Sequence, residues 1–307
     1  MTRSTIRPDA REPHDATADL DSLAASVLRQ ECARFARTLG AARKGRRGAV
    51  HAFRIAARRL VAAIELSRAI WPGREWLEAE REVRQLFEAC GRLRDLQVVH
   101  SALRRRRCQG RSPQLLLART GERIKRHQKR LARYLDGARP HKICRQMQDL
   151  AATSAGTRRA ARKHGTMVRA GRAVEAVLNR SRRNLQLACR RVQIDGPKML
   201  HRARVVAKVH RYQLEIAPSL GAQKLKGELP GLRRLQKGLG AITDLMLLQA
   251  ELARYVRKHP GARRELGALQ ERIERERGRR CAEVFVKAWP VKVAVVRARA
   301  ARSARPD

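Results

Sequence analysis

A stripe of one histidine and two basic side chains occurs twice in this chain. Residues 51–58 contain the pattern His-x-x-Arg-x-x-x-Arg, and the pattern returns at residues 201–208 as His-x-x-Arg-x-x-x-Lys. Arginine presents a planar, permanently charged fork that matches two phosphate oxygens at once, and lysine adds a compact point charge. The two stripes therefore predict a phosphate-binding surface. Because two stripes can face each other, such a surface suits a polymer better than a small metabolite.

Both stripes fall on one side of a predicted amphipathic helix. Each residue of a helix turns by about 100°, so His51, Arg54 and Arg58 share a narrow strip, with aliphatic residues on the neighbouring face. The second copy repeats this arrangement, and Arg211 flanks its strip. The basic side chains thus lie beside the predicted core, where a groove between helices forms. A histidine among cations holds its proton weakly and a bound polyanion restores it, so we expect binding to depend on pH.

A second paired element follows each stripe. Residues 91–95 and 240–244 both read Gly-x-x-x-Asp within a long predicted helix. A glycine lowers helix propensity there, and we expect close packing of helices to be its reason. Asp95 and Asp244 admit two interpretations, a salt bridge that orients a stripe arginine or an acid catalyst, and the first is favoured. Arg94 has a threonine as its counterpart in the second element, so that cation is not shared.

The composition favours a polyanionic partner. The 307 residues include 71 Lys and Arg against 28 Asp and Glu, a formal net charge of +43, and such an excess opposes the compact state through self-repulsion. Aromatic residues make up only 3%, which is few for a protein that stacks nucleic-acid bases. The anion is therefore expected to be held by its phosphates. Other basic runs, such as KRHQKR at residues 125–130, are interpreted as solvated helix faces that add long-range attraction.

Cysteine spacing and hydropathy indicate a soluble, cytoplasmic protein. The six cysteines include no C-x-x-C pair, which excludes zinc spacing and a disulfide framework and predicts free thiols in a reducing compartment. The first residues lack the apolar segment of a signal peptide, and no stretch approaches about 18 consecutive apolar residues. We expect no membrane contact, no metal and no cofactor.

Hydrophobic periodicity predicts an all-α fold. A 3.6-residue period persists along the chain, without a convincing alternating strand. Glycine and proline punctuation places helices near residues 17–40, 48–70, 73–107, 112–137, 167–193, 198–217, 223–258 and 262–288, with a short extra helix at 139–152. A shift of about 150 residues superimposes the first four helices on the last four, which predicts an internal duplication of a four-helix unit. The predicted organisation is an N-terminal tail at 1–16, a first half at 17–152, a joint at 153–166, a second half at 167–290 and a basic tail at 291–307.

The stripe helices and the segment LGAITDLMLL at residues 239–248 resemble the CHAD domain, the conserved histidine α-helical domain. The resemblance covers residues 17–290. It implies two pseudo-symmetric four-helix bundles with a basic channel between them that binds inorganic polyphosphate. Members of that family associate with polyphosphate granules, and some are fused to a CYTH triphosphatase domain. The alternating glutamates of the CYTH domain have no counterpart here, so the chain resembles the stand-alone form.

The resemblance also implies which side chains bind the polymer. Carried over by position, they are His51, Arg54, Arg58, Arg59, His201, Arg204, Lys208 and Arg211. The two copies are unequal, because Val61 stands at the position of Arg211, Val209 stands at the position of Arg59, and His210 occupies an aliphatic position. We therefore expect one asymmetric channel.

The sequence thus predicts a non-enzymatic polyphosphate-binding protein at polyphosphate granules, without catalytic residues. The first alternative is a helical, nucleoid-type nucleic-acid-binding protein, since charge alone also supports weak nucleic-acid binding. The second is a phosphohydrolase, which needs clustered carboxylates. The carboxylates near the stripes are Asp95, Asp244, Glu65 and Glu215.

Overall fold

A computed structural model describes residues 15–44, 48–106, 109–137, 140–160, 166–195, 199–220 and 226–287. These residues form helices joined by short connections, and they contain no strand. The α-helices are α1 Asp15–Arg43, α2 Ala49–Ile70, α3 Glu75–Ala89, α4 Gly91–Arg106, α5 Arg111–Asp136, α6 Pro140–Ala160, α7 Thr166–Asp195, α8 Leu200–Ile216, α9 Leu229–Lys258 and α10 Arg263–Lys287. Short 3-10 helices occur at Ala217–Leu220, Lys226–Glu228 and Pro260–Ala262. The predicted all-α fold is confirmed.

The helix expected at residues 73–107 is divided in two. A turn at Cys90 ends α3, and α4 begins at the next residue. Leu86, Cys90 and Leu93 are all buried on one side of this segment. The hydrophobic period therefore continues across the break, which is why the sequence pattern predicted a single helix.

Helix α6 is longer than the segment 139–152 that periodicity indicated. It runs to Ala160, so residues 153–160, which were expected to open a joint, are helical. Met147 and Ala151 are buried, and Ala155 packs against the same core. The small residues of this segment are typical of a linker. Alanine is also the strongest helix former, however, and here the segment packs against the core. The predicted tails at 1–16 and 291–307 lie almost entirely outside the described residues.

Two hydrophobic clusters hold the described helices together. The larger one includes Phe35 of α1 and Phe53 of α2, whose ring centroids are 5.3 Å apart, and Leu214 of α8. The smaller one joins α4, α5, α9 and α10 through residues such as Leu116 and Leu248. Each cluster combines helices from both predicted halves. The halves therefore share their cores, and the internal duplication stays a prediction from the sequence.

A glycine sets the start of α2, which carries the first stripe. Gly48 has φ of 75°, a conformation that favours glycine because it lacks Cβ. Its carbonyl accepts a hydrogen bond from the backbone N–H of Ala52 at 3.0 Å, which closes the first helical turn. His51 consequently lies in that first turn, as His201 lies in the first turn of α8. Backbone N–H groups in a first turn have no partner within the helix, and they favour nearby anions.

None of the described helices combines the length and apolar character that a membrane crossing needs.

Candidate anion-binding site

The two predicted stripes meet where α2 packs against α8. Burial lowers the pKa of His51, and the neighbouring cations, which include Lys208 of the opposite helix, lower it further. The pKa of His201 is lowered by burial and by cations that include Arg58. Each histidine is therefore close to the third basic residue of the other stripe, as two facing stripes require.

The basic cluster is the set of histidines and cations gathered at this contact. Arg94 of α4 joins the stripes, since it lies close enough to Arg204 and Asp244 to be affected by both charges. The carboxylates that reach the same place are Asp95, Asp244 and Glu215. Positive charges thus outnumber negative ones among these side chains. The members of the basic cluster are His51, Arg54, Arg58, Arg94, His201, Arg204, Lys208 and Arg211.

Phe87 of α3 positions the two arginines of α2. The guanidinium carbon of Arg54 lies 4.1 Å from the centroid of the Phe87 ring, and that of Arg58 lies 4.4 Å from it. Arg54 also donates a hydrogen bond from Nη1 to the carbonyl oxygen of Phe87 at 2.9 Å. A ring and a carbonyl orient these side chains without neutralising them, so their charge stays available to an anion.

On α8, acidic groups hold the arginines loosely. Arg204 Nη2 lies 3.8 Å from Asp244, and Arg211 Nη1 lies 3.7 Å from Glu215. The guanidinium of Arg211 also lies 4.5 Å from the centroid of the Tyr212 ring. The Nε atoms of both arginines are buried without a hydrogen-bond partner. Asp244 thus forms the predicted ion pair with a stripe arginine, and its orienting role stays a prediction.

Lys208 has the most strongly lowered pKa of the cluster. Burial, followed by the charges of Arg58, Arg204 and Arg54, lowers the pKa of Lys208 to about 6. Burial and neighbouring cations, Arg54 first among them, also lower the pKa of Arg58, to about 10. Burial and neighbouring cations thus both disfavour the protonated forms of these side chains. An anion that entered the cluster would raise both pKa values.

Arg59 lies at the edge of the cluster, where it shares Glu215 with Arg211 and is paired with carboxylates. It donates to Glu31 of α1 at 2.6 Å and to Glu215 of α8 at 3.0 Å. The side chain of Glu31 is only 6% exposed. The structure therefore brings seven of the eight predicted binding residues together and places Arg59 in a salt bridge that joins three helices.

The unequal positions of the two copies have different surroundings. Val61, at the position of Arg211, is buried in the core. His210 is also buried, where its Nδ1 pairs with the Ser181 hydroxyl at 2.7 Å and its Nε2 lies 3.5 Å from Glu228. Burial lowers the pKa of His210 despite the carboxylate. His210 thus fastens α8 to α7.

The expected reason for the two glycines is wrong. A Cβ at Gly91 would meet only Arg54 Nη1, at 3.8 Å, and a Cβ at Gly240 would meet nothing within 4 Å. A Cβ at Gly238, by contrast, would collide with Cγ2 of Val284 on α10. Close helix packing on α9 therefore occurs two residues before the glycine that the repeat identified.

Sequence reasoning missed Arg94 and Phe87. Arg94 adjoins Asp95, but comparison of the two copies discounted it because the second copy has Thr243 at its position. Thr243 is buried, and its hydroxyl donates to the Leu239 carbonyl at 2.8 Å. Arg94 therefore belongs to the asymmetric part of the site, which a repeat cannot reveal.

The glutamates near the stripes are engaged in pairs. Glu65 accepts hydrogen bonds from Arg84 at 2.9 Å and from Gln213 at 2.6 Å, and Glu215 pairs with Arg59. Across the described ranges, no three His, Cys, Asp or Glu side chains gather as a metal ion requires.

Comparison with known proteins agrees with the observed fold. The family model of the CHAD domain matches residues 26–253. The crystal structure of the CHAD domain from the plant Ricinus communis has a TM-score of 0.63 and 19% identity, over 99% of this chain and 98% of that chain. PptA from Streptomyces chartreusis has a TM-score of 0.58 and 16% identity, over 88% of this chain and 99% of that chain. No curated protein matches. A single family model that spans both stripes identifies the chain as a member of the CHAD domain family.

Proposed function

We propose that this protein binds inorganic polyphosphate through the basic cluster and has no enzymatic activity. The observation that supports the proposal best is the meeting of two basic stripes from α2 and α8, with too few carboxylates to neutralise them. Guanidinium groups pair with phosphate oxygens through two parallel hydrogen bonds. A polymer with a negative charge on every repeat supplies such oxygens to both helices at once.

A variant that removes one arginine from each stripe tests this proposal. We expect Arg54→Gln/Arg204→Gln to weaken long-chain polyphosphate binding about a hundredfold or more, because a hydrogen bond to a charged group contributes roughly 1.5–3 kcal/mol. The matched control is Arg272→Gln/Arg275→Gln, which removes two exposed charges from α10. Isothermal titration calorimetry across a salt series measures both. An equal loss in the control would mean that overall charge, not the cluster, binds the polymer.

A charge-neutral variant separates a built site from a charged surface. Phe87→Leu keeps the net charge and removes the ring beneath Arg54 and Arg58. Since each stacked guanidinium gains about 0.5–2 kcal/mol from its ring, we expect affinity to fall by about tenfold with little change in its salt dependence. Unchanged affinity would show that orientation of the arginines is irrelevant.

Two alternatives remain distinguishable by experiment. If duplex DNA displaces long-chain polyphosphate at equal phosphate concentration, the protein is a nucleic-acid binder. If phosphate is released from polyphosphate and the release disappears in Asp244→Asn, the protein is a phosphohydrolase. The pairing of Asp244 with Arg204 supports an orienting role for this carboxylate instead.

Granule association follows from the same proposal. We expect a fluorescent fusion of the full chain to collect at polyphosphate granules in cells. The Arg54→Gln/Arg204→Gln fusion should be diffuse, whereas the Arg272→Gln/Arg275→Gln fusion should still collect. Accumulation of all three fusions would separate localisation from the basic cluster.

A further inference from the structure

A third basic stripe lies on α5, away from the basic cluster. Arg119, Arg123, Arg126 and Arg130 follow one another at intervals of four, three and four residues, so they share one face of the helix. At a rise of about 1.5 Å per residue, the stripe extends over about 16 Å. The sequence run KRHQKR contributes only part of it, which is why that run alone looked like a solvated surface.

The α5 stripe faces a second set of side chains on α9. Glu251, Arg254, Tyr255 and Lys258 recur at intervals of three, one and three residues and also share a face. The two faces enclose a cavity of about 300 Å³, which His127 also lines. The α5–α9 groove is this cavity with its lining side chains.

The groove contains more positive charge than its one carboxylate neutralises. Glu251 is 6% exposed and pairs with both Arg123 and Arg254, the latter at 2.8 Å. Within the described part of the chain, no acidic side chain forms an ion pair with Arg126 or with the two other outer cations, Arg130 and Lys258. Arg119 contacts Nε2 of His259 at 2.9 Å, which leaves its charge intact.

The buried pair organises the groove without removing its charge. Arg123 has a side chain 18% exposed and Glu251 one 8% exposed, so both are fixed between the helices. Burial lowers the pKa of His127, and the cations around it, Arg130 first, lower it further. Neutral His127 therefore offers a hydrogen-bonding ring among permanent cations. Fixed cations in excess of carboxylates, beside a hydrogen-bonding ring, are the features that an anion site needs.

The groove is separate from the basic cluster. No residue lines both, and Tyr255 and its neighbour Val256 belong to the smaller hydrophobic cluster of α4, α5, α9 and α10. The basic cluster lies at the contact of α2 with α8 instead.

We propose that the α5–α9 groove is a second anion site, which takes a run of a few linked phosphate groups. Its volume is at the small end of ligand pockets and excludes a duplex. The identity of the anion as condensed phosphate rests on the function proposed above. A long polymer bound at both places gains effective concentration at the second site, so affinity rises with chain length beyond what either site supplies.

Short and long polyphosphates give different signatures of a second site. Tripolyphosphate occupies each site independently, and a calorimetric titration of the full chain should therefore report two sites. In the Arg54→Gln/Arg204→Gln variant one site should remain. Adding Arg126→Gln/Arg130→Gln to that variant should abolish it.

A matched control is available on the same helix. Lys125 and Lys129 are exposed neighbours of the groove arginines that do not line the cavity. Lys125→Gln/Lys129→Gln should keep both tripolyphosphate sites. For long-chain polyphosphate, Arg126→Gln/Arg130→Gln should weaken binding by about tenfold or more through lost multivalency, and the control should stay within about threefold.

The outcomes separate this inference from the function proposed above. A single wild-type site that Arg54→Gln/Arg204→Gln removes overturns the second site and leaves the proposed function standing. Tripolyphosphate binding that only Arg126→Gln/Arg130→Gln removes overturns the basic cluster as the binding place and supports the groove. Equal losses in the lysine control overturn the groove, as does displacement of tripolyphosphate from it by duplex DNA at equal phosphate concentration.

Discussion

Lys208 provides the sharpest test of the basic cluster, because polymer binding should change its protonation. In the free protein burial and three arginines lower the pKa of Lys208 to about 6. A polyphosphate lying against α2 and α8 supplies negative charge that favours the ammonium form. Binding should therefore take up a proton at neutral pH.

The size of this uptake follows from the pKa. At pH 7 an amine with a pKa of about 6 is charged in roughly one molecule in ten. If the bound state restores the pKa above about 8.5, nearly every Lys208 is charged in the complex, and binding takes up about 0.9 proton. Because the complex holds more protons than the free protein, affinity falls as pH rises, by up to about tenfold per pH unit from pH 7 until the bound pKa is reached.

Calorimetry in several buffers measures the uptake directly. The observed binding enthalpy varies linearly with the ionisation enthalpy of the buffer, and the slope is the number of protons taken up. His51 and His201, whose pKa values are also lowered, add a smaller uptake that grows toward pH 6. Lys208→Met removes the amine and should lower the slope at pH 7 by about 0.9, while Lys125→Met, at an exposed position, should leave it unchanged.

A slope that is the same in the wild type and in Lys208→Met would refute this reasoning. Lys208→Arg refines the test, since its permanent charge should restore affinity but not proton uptake.

The same pKa shift predicts how the stability of the free protein depends on pH. The pKa of Lys208 is 10.5 when unfolded and about 6 when folded. Between these values the unfolded chain holds more protons, so this contribution to stability is full above pH 10.5 and is lost as pH falls toward 6. The free energy of unfolding should rise with pH by at most about 1.4 kcal/mol per unit through this group. Urea titrations from pH 6 to 9 should show a smaller pH dependence in Lys208→Met.

Two further predictions concern stability. Arg59→Ala should lower the free energy of unfolding by about 3 kcal/mol in urea, because buried Glu31 loses its closest partner; lost polyphosphate affinity with unchanged stability would contradict the structural role. Gly238→Ala should destabilise by about 1–3 kcal/mol through its collision with Val284, whereas Gly240→Ala should stabilise by up to about 1 kcal/mol in open space. Thermal unfolding measures both glycine variants, and shifts of the same sign would contradict the packing described.

Periodicity predicted the fold well because most described helices pair an apolar stripe with clear punctuation. Pro72 and Gly73 ended α2, and the bounds of α8 differ from the expected 198–217 by at most two residues. The break at Cys90 was invisible, since a buried side chain stands on either side of it. The length of α6 was also missed, because the composition of residues 153–160 does not show whether they pack against a hydrophobic core.

The candidate site was predictable mainly where it repeats, and Arg211, whose counterpart is Val61, was found because it flanks the second stripe. The stripes recur in the sequence, so their members were found, and helical geometry explains why they face a contact between helices. Arg94 does not recur, and Phe87 carries no charge, so neither produced a signal. Arg59 has no basic counterpart in the second copy and was included because of the family resemblance. The sequence did not show that Glu31 of α1 forms a salt bridge with it.

Neighbouring arginines of α2 illustrate how the chain separates structure from binding. Arg59 is neutralised by Glu31, a carboxylate that is nearly buried. The charge of Arg59 therefore stabilises the contact between helices. Arg58 and Arg54 rest on the ring of Phe87, which fixes a guanidinium through its π face and leaves the positive charge in place. Supporting a cation without neutralising it raises the energy of the free protein, because the cations repel one another. An anion that entered the cluster would relieve that repulsion, so under the proposed function the repulsion between Arg54 and Arg58 adds to the affinity for polyphosphate.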